Sequence, residues 1–165
     1  MGVSQSLSEL VLRIRREPGA RHTIECPVLL WEAPATTGGE HWERTRGHTL
    51  SKPLAGDPKI FRVEKGVKAN NAFAFGITLG RVDTNDLVID DDSVSRFHAF
   101  LRLEERTQTW FLTDAESKNG TWVDGAKLQP NQGVALHDRT KVKFGDAELK
   151  FLLPPSFKKV IDEAV

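Results

Sequence analysis

The sequence predicts an all-β fold, a sandwich of two sheets, preceded by an extension that carries a short helix. Three observations predict it. From about Lys59 onward, short apolar runs recur every roughly 8–12 residues with turn residues between them. Two of those turns, Asp124-Gly125 and Gly145-Asp146, join neighbouring runs in the manner of two-residue hairpins. Before Lys59 the texture is different, with one helical period and then a stretch rich in glycine, threonine and charge.

The extension is read over 1–58. Ser6-Leu7-Ser8-Glu9 has capping-box spacing, with Ser6 as N-cap and Glu9 as the third helical residue. Leu7, Leu10, Val11 and Ile14 repeat at helical intervals until Pro18-Gly19, which predicts a helix over about 7–16. Leu10, Leu12 and Ile14 also alternate, so a strand is the alternative there. Residues 24–31 (IECPVLLW) read as a short apolar strand interrupted by Pro27, which places it at a sheet edge if it is a strand. The run 33–58 reads as a surface loop, with Pro53 to Pro58 as a boundary.

A module over 59–155 follows. Its strands are read at Ile60–Val63, Ala72–Leu79 and Leu87–Ile89, the last after an Asn85-Asp86 turn. In Ser95 to Leu103, Phe97, Ala99, Leu101 and Leu103 fall on one face of a strand; Arg96, His98, Phe100 and Arg102 fall on the other. Thr109–Thr113 is a further strand. Trp122-Val123 and Ala126–Leu128 flank Asp124-Gly125, and Val142–Phe144 and Glu148–Leu152 flank Gly145-Asp146. The tail 156–165 is read as a short helix.

Composition excludes several classes of function. Of 165 residues, 39% are hydrophobic and 28% charged, enough for a core and too apolar for wholesale disorder. Lysine plus arginine equals aspartate plus glutamate, 23 against 23, whereas duplex binding rests on a cationic excess, so no nucleic-acid partner is expected. No apolar stretch approaches the ~18 residues of a membrane span, and no signal-peptide pattern opens the chain. With Cys26 as its single cysteine the chain forms no internal disulfide, and a cytoplasmic location is the expectation.

Three pieces lie in order in the β region: Gly80-Arg81 after a strand, Ser95-Arg96-Phe97-His98 entering another, and Ser117-Lys118-Asn119-Gly120-Thr121 before a third. In this order and strand context, together with Ile77-Thr78-Leu79 and Asp124-Gly125, the three pieces resemble the forkhead-associated (FHA) domain over about 59–153, a resemblance that implies phosphothreonine-peptide binding. The residues suit that ligand on their own chemistry. A phosphothreonine presents a charge of about −1.5 to −2 and three acceptor oxygens. Capturing it needs cations, hydroxyl donors and backbone N–H groups on loops of a rigid scaffold, and Arg81, Ser95, Arg96 and Lys118 are of that chemistry.

The resemblance implies a sandwich of about eleven strands whose site loops meet at one end. It implies that Arg81 bonds a phosphate oxygen and Ser95 donates its hydroxyl to another. Arg96 adds charge or a backbone N–H beside them. Lys118 stands where many members have threonine, and its ammonium can still reach the phosphate. Asn119 would bond the main chain of the peptide. Gly80, His98, Gly120 and Thr121 are supports, with His98 tying two loops together by hydrogen bonds. The resemblance also implies a small pocket for the threonine methyl that selects against phosphoserine, although burial of one methyl contributes only about 1 kcal/mol.

The resulting expectation is a non-catalytic module that reads Ser/Thr kinase output and recruits phosphorylated partners. The alternative is a phosphate-independent assembly domain using the sandwich face or residues 1–58. No nucleotide loop, metal spacing or nucleophile–base pair points to an enzyme or a cofactor. His22, Cys26, His41 and His48 match no tight zinc pattern, and nothing in the sequence sets a base beside Cys26. Residues 1–6 fit a short myristoylation pattern, from which no membrane partner is expected. Trp110, Phe111 and Trp122 are read as core or sheet-face residues. Thr36-Thr37, if phosphorylated, could occupy the module's own pocket.

Overall fold

The structure, a computed structural model, describes residues 4–32, 57–66 and 76–164. Strand β1 (Gln5–Ser6) leads into helix α1 (Leu7–Arg16), then β2 (Val28–Trp31) and β3 (Lys59–Arg62). The sandwich continues with β4 (Ile77–Gly80), β5 (Leu87–Val88), β6 (Ala99–Glu104), β7 (Thr109–Asp114), β8 (Thr121–Val123) and β9 (Ala126–Lys127). It ends with β10 (Val134–Leu136), β11 (Thr140–Phe144), β12 (Ala147–Leu152) and helix α2 (Pro154–Ala164).

Helix α1 begins where the capping box sets it. Ser6 Oγ accepts the Glu9 N–H at 3.2 Å, and the Glu9 carboxylate accepts the Ser6 N–H at 3.2 Å. The helical reading therefore holds over the alternating one, and Leu10, Val11 and Ile14 are its buried residues. Leu12 lies on the outer side at 52% exposure.

Two sheets face each other. One has seven strands in the order β1-β3-β2-β12-β11-β8-β9, the other five in the order β10-β7-β6-β4-β5. Among the described strands every pairing is antiparallel except β4 with β5. Between the sheets lies the main core, with Phe61, Leu79, Leu101, Leu112, Phe144, Leu149 and Phe151 at 0–2% exposure. A second apolar cluster covers the outer face of the larger sheet. There Leu10 and Ile14 of α1 and Phe157 and Ile161 of α2 meet Val28, Leu30, Ile60 and Leu152. Asp138 seats α2 by accepting the Leu153 N–H at 2.8 Å and the Ser156 hydroxyl.

Two sequence expectations need correction. The strand near 24–31 is not at an edge, because Val28–Trp31 is hydrogen-bonded between β3 and β12. Pro27 stops one residue short of that ladder, so its missing N–H costs nothing, and its carbonyl accepts the Val63 N–H at 2.8 Å. The alternation read through Ser95–Leu103 holds only from Ala99 onward. Ahead of it His98 is buried and Phe97 is 41% exposed, the reverse of the expected faces, because hydrogen bonds draw the imidazole inward. The described residues hold twelve strands, β1 and β2 of them within the span read as the extension, in keeping with a sandwich of about eleven. The loop read over 33–58 lies outside the described residues up to 56, as do Thr36-Thr37 and residues 72–75 of the expected 72–79 strand.

Both hairpin readings stand. Asp124 and Gly125 take φ of +46° and +83°, the positive pair that a tight primed turn requires. Gly145 takes +57° in the β11–β12 turn.

Candidate functional site

One end of the sandwich gathers the loops after β4, before β6, after β7 and between β11 and β12. Every residue singled out for the site lies in them or at their strand junctions. Ser95 is the hub. Its carbonyl accepts the Arg81 N–H at 3.0 Å, its N–H donates to His98 Nδ1 at 3.0 Å, and its hydroxyl accepts the Lys118 N–H at 3.0 Å. Two loops distant in sequence, after β4 and after β7, are thus bonded to one serine of a third, and its hydroxyl proton remains available to donate.

Arg81 is oriented by its own side chain as well. Its Nε donates to the Val94 carbonyl at 3.1 Å, which fixes the guanidinium plane. Among the described residues, its terminal nitrogens, the Arg96 guanidinium and the Lys118 ammonium take no hydrogen bond or ion pair. Arg96 and Lys118 are exposed and Arg81 is half-buried. Asn119 donates from Nδ2 to the Ser93 carbonyl at 2.8 Å, so its side-chain carbonyl can turn to a ligand.

The supporting residues have concrete tasks. His98 accepts from Ser95 at Nδ1, so the ring proton sits on Nε2 and is donated to the Gly120 carbonyl at 2.9 Å. Burial pushes this imidazole below its ordinary value of 6.5, against the opposing pull of Gly120 and Asp114, so the neutral ring is favoured. The edge of Phe144 packs against it, ring centres 5.7 Å apart at 88°. Gly80 is required by contact: a Cβ there would lie 2.1 Å from the Arg96 carbonyl oxygen and 2.7 Å from Asn85 Nδ2. Gly120 sits at φ +90°. Thr121 is fully buried and donates its hydroxyl to Asp114 at 2.6 Å.

Several residues of this scaffold escaped the sequence reading. Asp114, at the end of β7, collects hydrogen bonds from the Ser117 N–H, the Ser117 hydroxyl and Thr121, and so sets the Ser117–Gly120 turn. Burial alone would raise its carboxyl, but these bonds and the nearby His98 hold it below the ordinary range. Asp86 is likewise buried and held down by Lys65, with further bonds from the Gly66 and Thr78 N–H groups. Asn85 bridges the Val82 and Arg96 carbonyls at 2.9 and 2.6 Å. Ser93 accepts the Asp146 N–H on its hydroxyl at 2.8 Å while its carbonyl holds Asn119. The sequence offered one signal for them, the recurrence of Asn, Asp and Ser at strand ends, where such side chains bond nearby main chain.

Among the described residues no group of three or more His, Cys, Asp or Glu side chains could hold a metal ion. Cys26 has its thiol raised by burial and by Glu64. No described helix is long and apolar enough to cross a membrane.

This arrangement is a sandwich whose loop end offers cations and a hydroxyl on a hydrogen-bonded frame. Residues 77–145 match the family model described as the FHA domain, and this stretch of the chain is an FHA domain. The chain is 42% identical over 74 residues to the FHA domain-containing protein FhaB of Mycobacterium tuberculosis, covering 45% of this chain and 45% of that protein. It is 28% identical over 127 residues to the oxoglutarate dehydrogenase inhibitor of Corynebacterium glutamicum, covering 75% of this chain and 77% of that one. It therefore spans less than half of the FhaB proteins and 5% of the plant FHA protein PS1. Among solved structures, Mycobacterium tuberculosis EmbR with a low-affinity phosphopeptide is similar at 19% identity and TM-score 0.46, covering 78% of this chain and 24% of that one.

Proposed function

We propose that the protein is a non-catalytic phosphothreonine-peptide recognition module that recruits phosphorylated partners in Ser/Thr kinase signalling. The observation that carries this reading is the bonding of Arg81 and Lys118 to Ser95, which holds two cation-bearing residues around one hydroxyl. In the proposed complex the terminal nitrogens of Arg81 and the Lys118 ammonium take phosphate oxygens, and the Ser95 hydroxyl donates to a third. Arg96 adds positive potential at the rim, and Asn119 accepts from or donates to the peptide main chain. The FHA match over residues 77–145 supports the choice of ligand class.

The folded unit presenting this site is proposed to include residues ahead of the matched stretch, since β2 is hydrogen-bonded between β3 and β12. Partner and kinase are proposed only as a class: a protein phosphorylated on threonine and the Ser/Thr kinase that modifies it.

The test is binding of one degenerate peptide set carrying phosphothreonine, phosphoserine or threonine. The reading requires saturable binding to the phosphothreonine set that is lost in Arg81→Ala. Equal binding of phosphorylated and unmodified sets would move the function to a phosphate-independent assembly role.

A further inference from the structure

The outer face of the seven-stranded sheet is covered on one side only. Over β3, β2 and the end of β12 the terminal helices bury Val28, Leu30, Ile60 and Leu152. Over β9, β8 and β11 no described helix lies, and the side chains there are of another kind. Cross-strand register puts Lys127, Trp122, Lys143 and Glu148 in one row and Lys141 and Lys150 in the next.

Trp122 is half-buried on this face, with the Lys143 ammonium 4.7 Å and the Lys127 ammonium 5.7 Å from its ring centre. Such contacts hold the ammonium groups in place over an aromatic surface. Trp122, Gly125, Lys141, Val142, Lys143 and Glu148 line a shallow cleft of about 390 Å³. Among the described residues none of Lys127, Lys141, Lys143 and Lys150 takes an ion pair, and the acids between them are Glu148 and Asp124. Like charges held this close repel, so the face gains by taking up negative charge.

The surface is also continuous with the loop end. A side chain on Gly120 would meet Lys127 Cε at 2.8 Å and the Trp122 ring at 3.1 Å, so the Asn119-Gly120 turn lies against this row. We infer that the Trp122–Lys143 face is a second docking surface, occupied by an acidic, unphosphorylated segment of the partner whose phosphothreonine sits at the loop end. Its placement in the complex rests on the proposed phosphothreonine site. Glutamate and aspartate carboxylates pair with the four ammoniums, and the segment's aliphatic stems lie across Trp122. A peptide fits better than a nucleic acid, because the indole that a base would stack on already carries ammonium groups.

A nuclear magnetic resonance titration of the isotope-labelled full chain with an unphosphorylated glutamate-rich peptide tests this without using the phosphate site. The Trp122 indole N–H signal should shift, together with backbone signals around Lys127 and Lys143. A glutamine-rich control should leave them in place, and the Lys141→Glu/Lys143→Glu double variant should abolish the response. A second arm joins the glutamate run to a short phosphothreonine peptide. At low salt this should tighten binding about tenfold over the glutamine version, the sum of several surface pairs, and the gain should fade as salt screens them. The double variant should lose that gain and keep its affinity for the short peptide.

An unmoved Trp122 signal would overturn the docking surface, as would the same shift in the double variant. So would a shift given by duplex DNA or anionic vesicles and not by the peptide. A short phosphothreonine peptide that fails to bind, beside a Trp122 signal that still responds to glutamate, would sink the phosphothreonine reading and leave this surface standing.

Discussion

The loop end and the helix-covered flank of this molecule are stabilised by opposite means. The flank is an apolar seam in which Phe157 and Ile161 are almost fully buried against Val28, Leu30 and Ile60. The loop end buries polar groups instead, His98, Asp86, Asp114 and Thr121, and no buried side-chain nitrogen or oxygen among the described residues is left without a partner. Apolar packing is non-directional and tolerates small shifts. A hydrogen-bonded frame is directional, and a missing member leaves its neighbours unsatisfied. The end that has to hold cations in fixed positions is therefore built from directional bonds.

The difference can be broken first at the flank. Phe157→Ala should lower stability by about 3–5 kcal/mol, the usual range for deleting a buried aromatic ring. The fraction that remains folded should bind phosphopeptide with unchanged affinity. Chemical denaturation and peptide titration of the same variant check both halves.

Arg81→Ala is the mirror image. Leaving a desolvated phosphate without its charged partner typically costs about 2–5 kcal/mol, so affinity should fall by more than about thirtyfold. Stability should change little, because among the described residues the side chain makes a single hydrogen bond, to Val94. A large loss of stability in this variant would mean that Arg81 is a frame residue.

A smaller effect sharpens the comparison through pH. His98 is held below its ordinary 6.5 in the fold by burial, so the unfolded chain takes up this proton more readily. Stability from the neutral ring is fully present above about 6.5 and declines as pH falls below it. Protonation at Nδ1 would also remove the acceptor for the Ser95 N–H. Denaturation midpoints of the peptide-free protein should drop as pH is lowered from 7 towards 5. His98→Gln should lose most of that slope while remaining less stable at neutral pH. Peptide-free measurement matters, since a phosphate ligand takes up its own second proton near pH ~6.

The smallest change belongs to the flank's entry. Ser6→Ala removes the cap of α1 and should cost about 1 kcal/mol, visible in a thermal melt and invisible in peptide affinity.

The same contrast explains what the sequence disclosed. Helix α1 was legible because its signal is local: Ser6 and Glu9 bond each other three residues apart, and Leu10 and Ile14 share one face. Asp124-Gly125 was legible for the same reason, as two positive φ values in succession favour these residue types. Strand β2 was misplaced at an edge because its neighbours, Lys59–Arg62 and Lys150–Leu152, come from far along the chain. Pro27 alone could not reveal that the ladder begins one residue later. At the site, Arg81, Ser95 and Lys118 were found as chemistry, and the resemblance supplied their convergence. Asp114, Asn85 and Ser93 stayed hidden because short polar side chains at strand ends look like ordinary turn residues until their partners are seen. The faces of Phe97 and His98 were inverted since strict alternation ignores a ring nitrogen that must reach Gly120, 22 residues away in sequence.

The most direct test of the account is fluorescence-anisotropy binding of the full chain to one peptide set in three forms, phosphothreonine, phosphoserine and threonine, repeated with Arg81→Ala. Saturable binding to the phosphothreonine form alone, weakened more than about thirtyfold in the variant, is the predicted result. Equal affinity for the phosphothreonine and threonine forms, or a variant that binds as tightly as the parent, would contradict it.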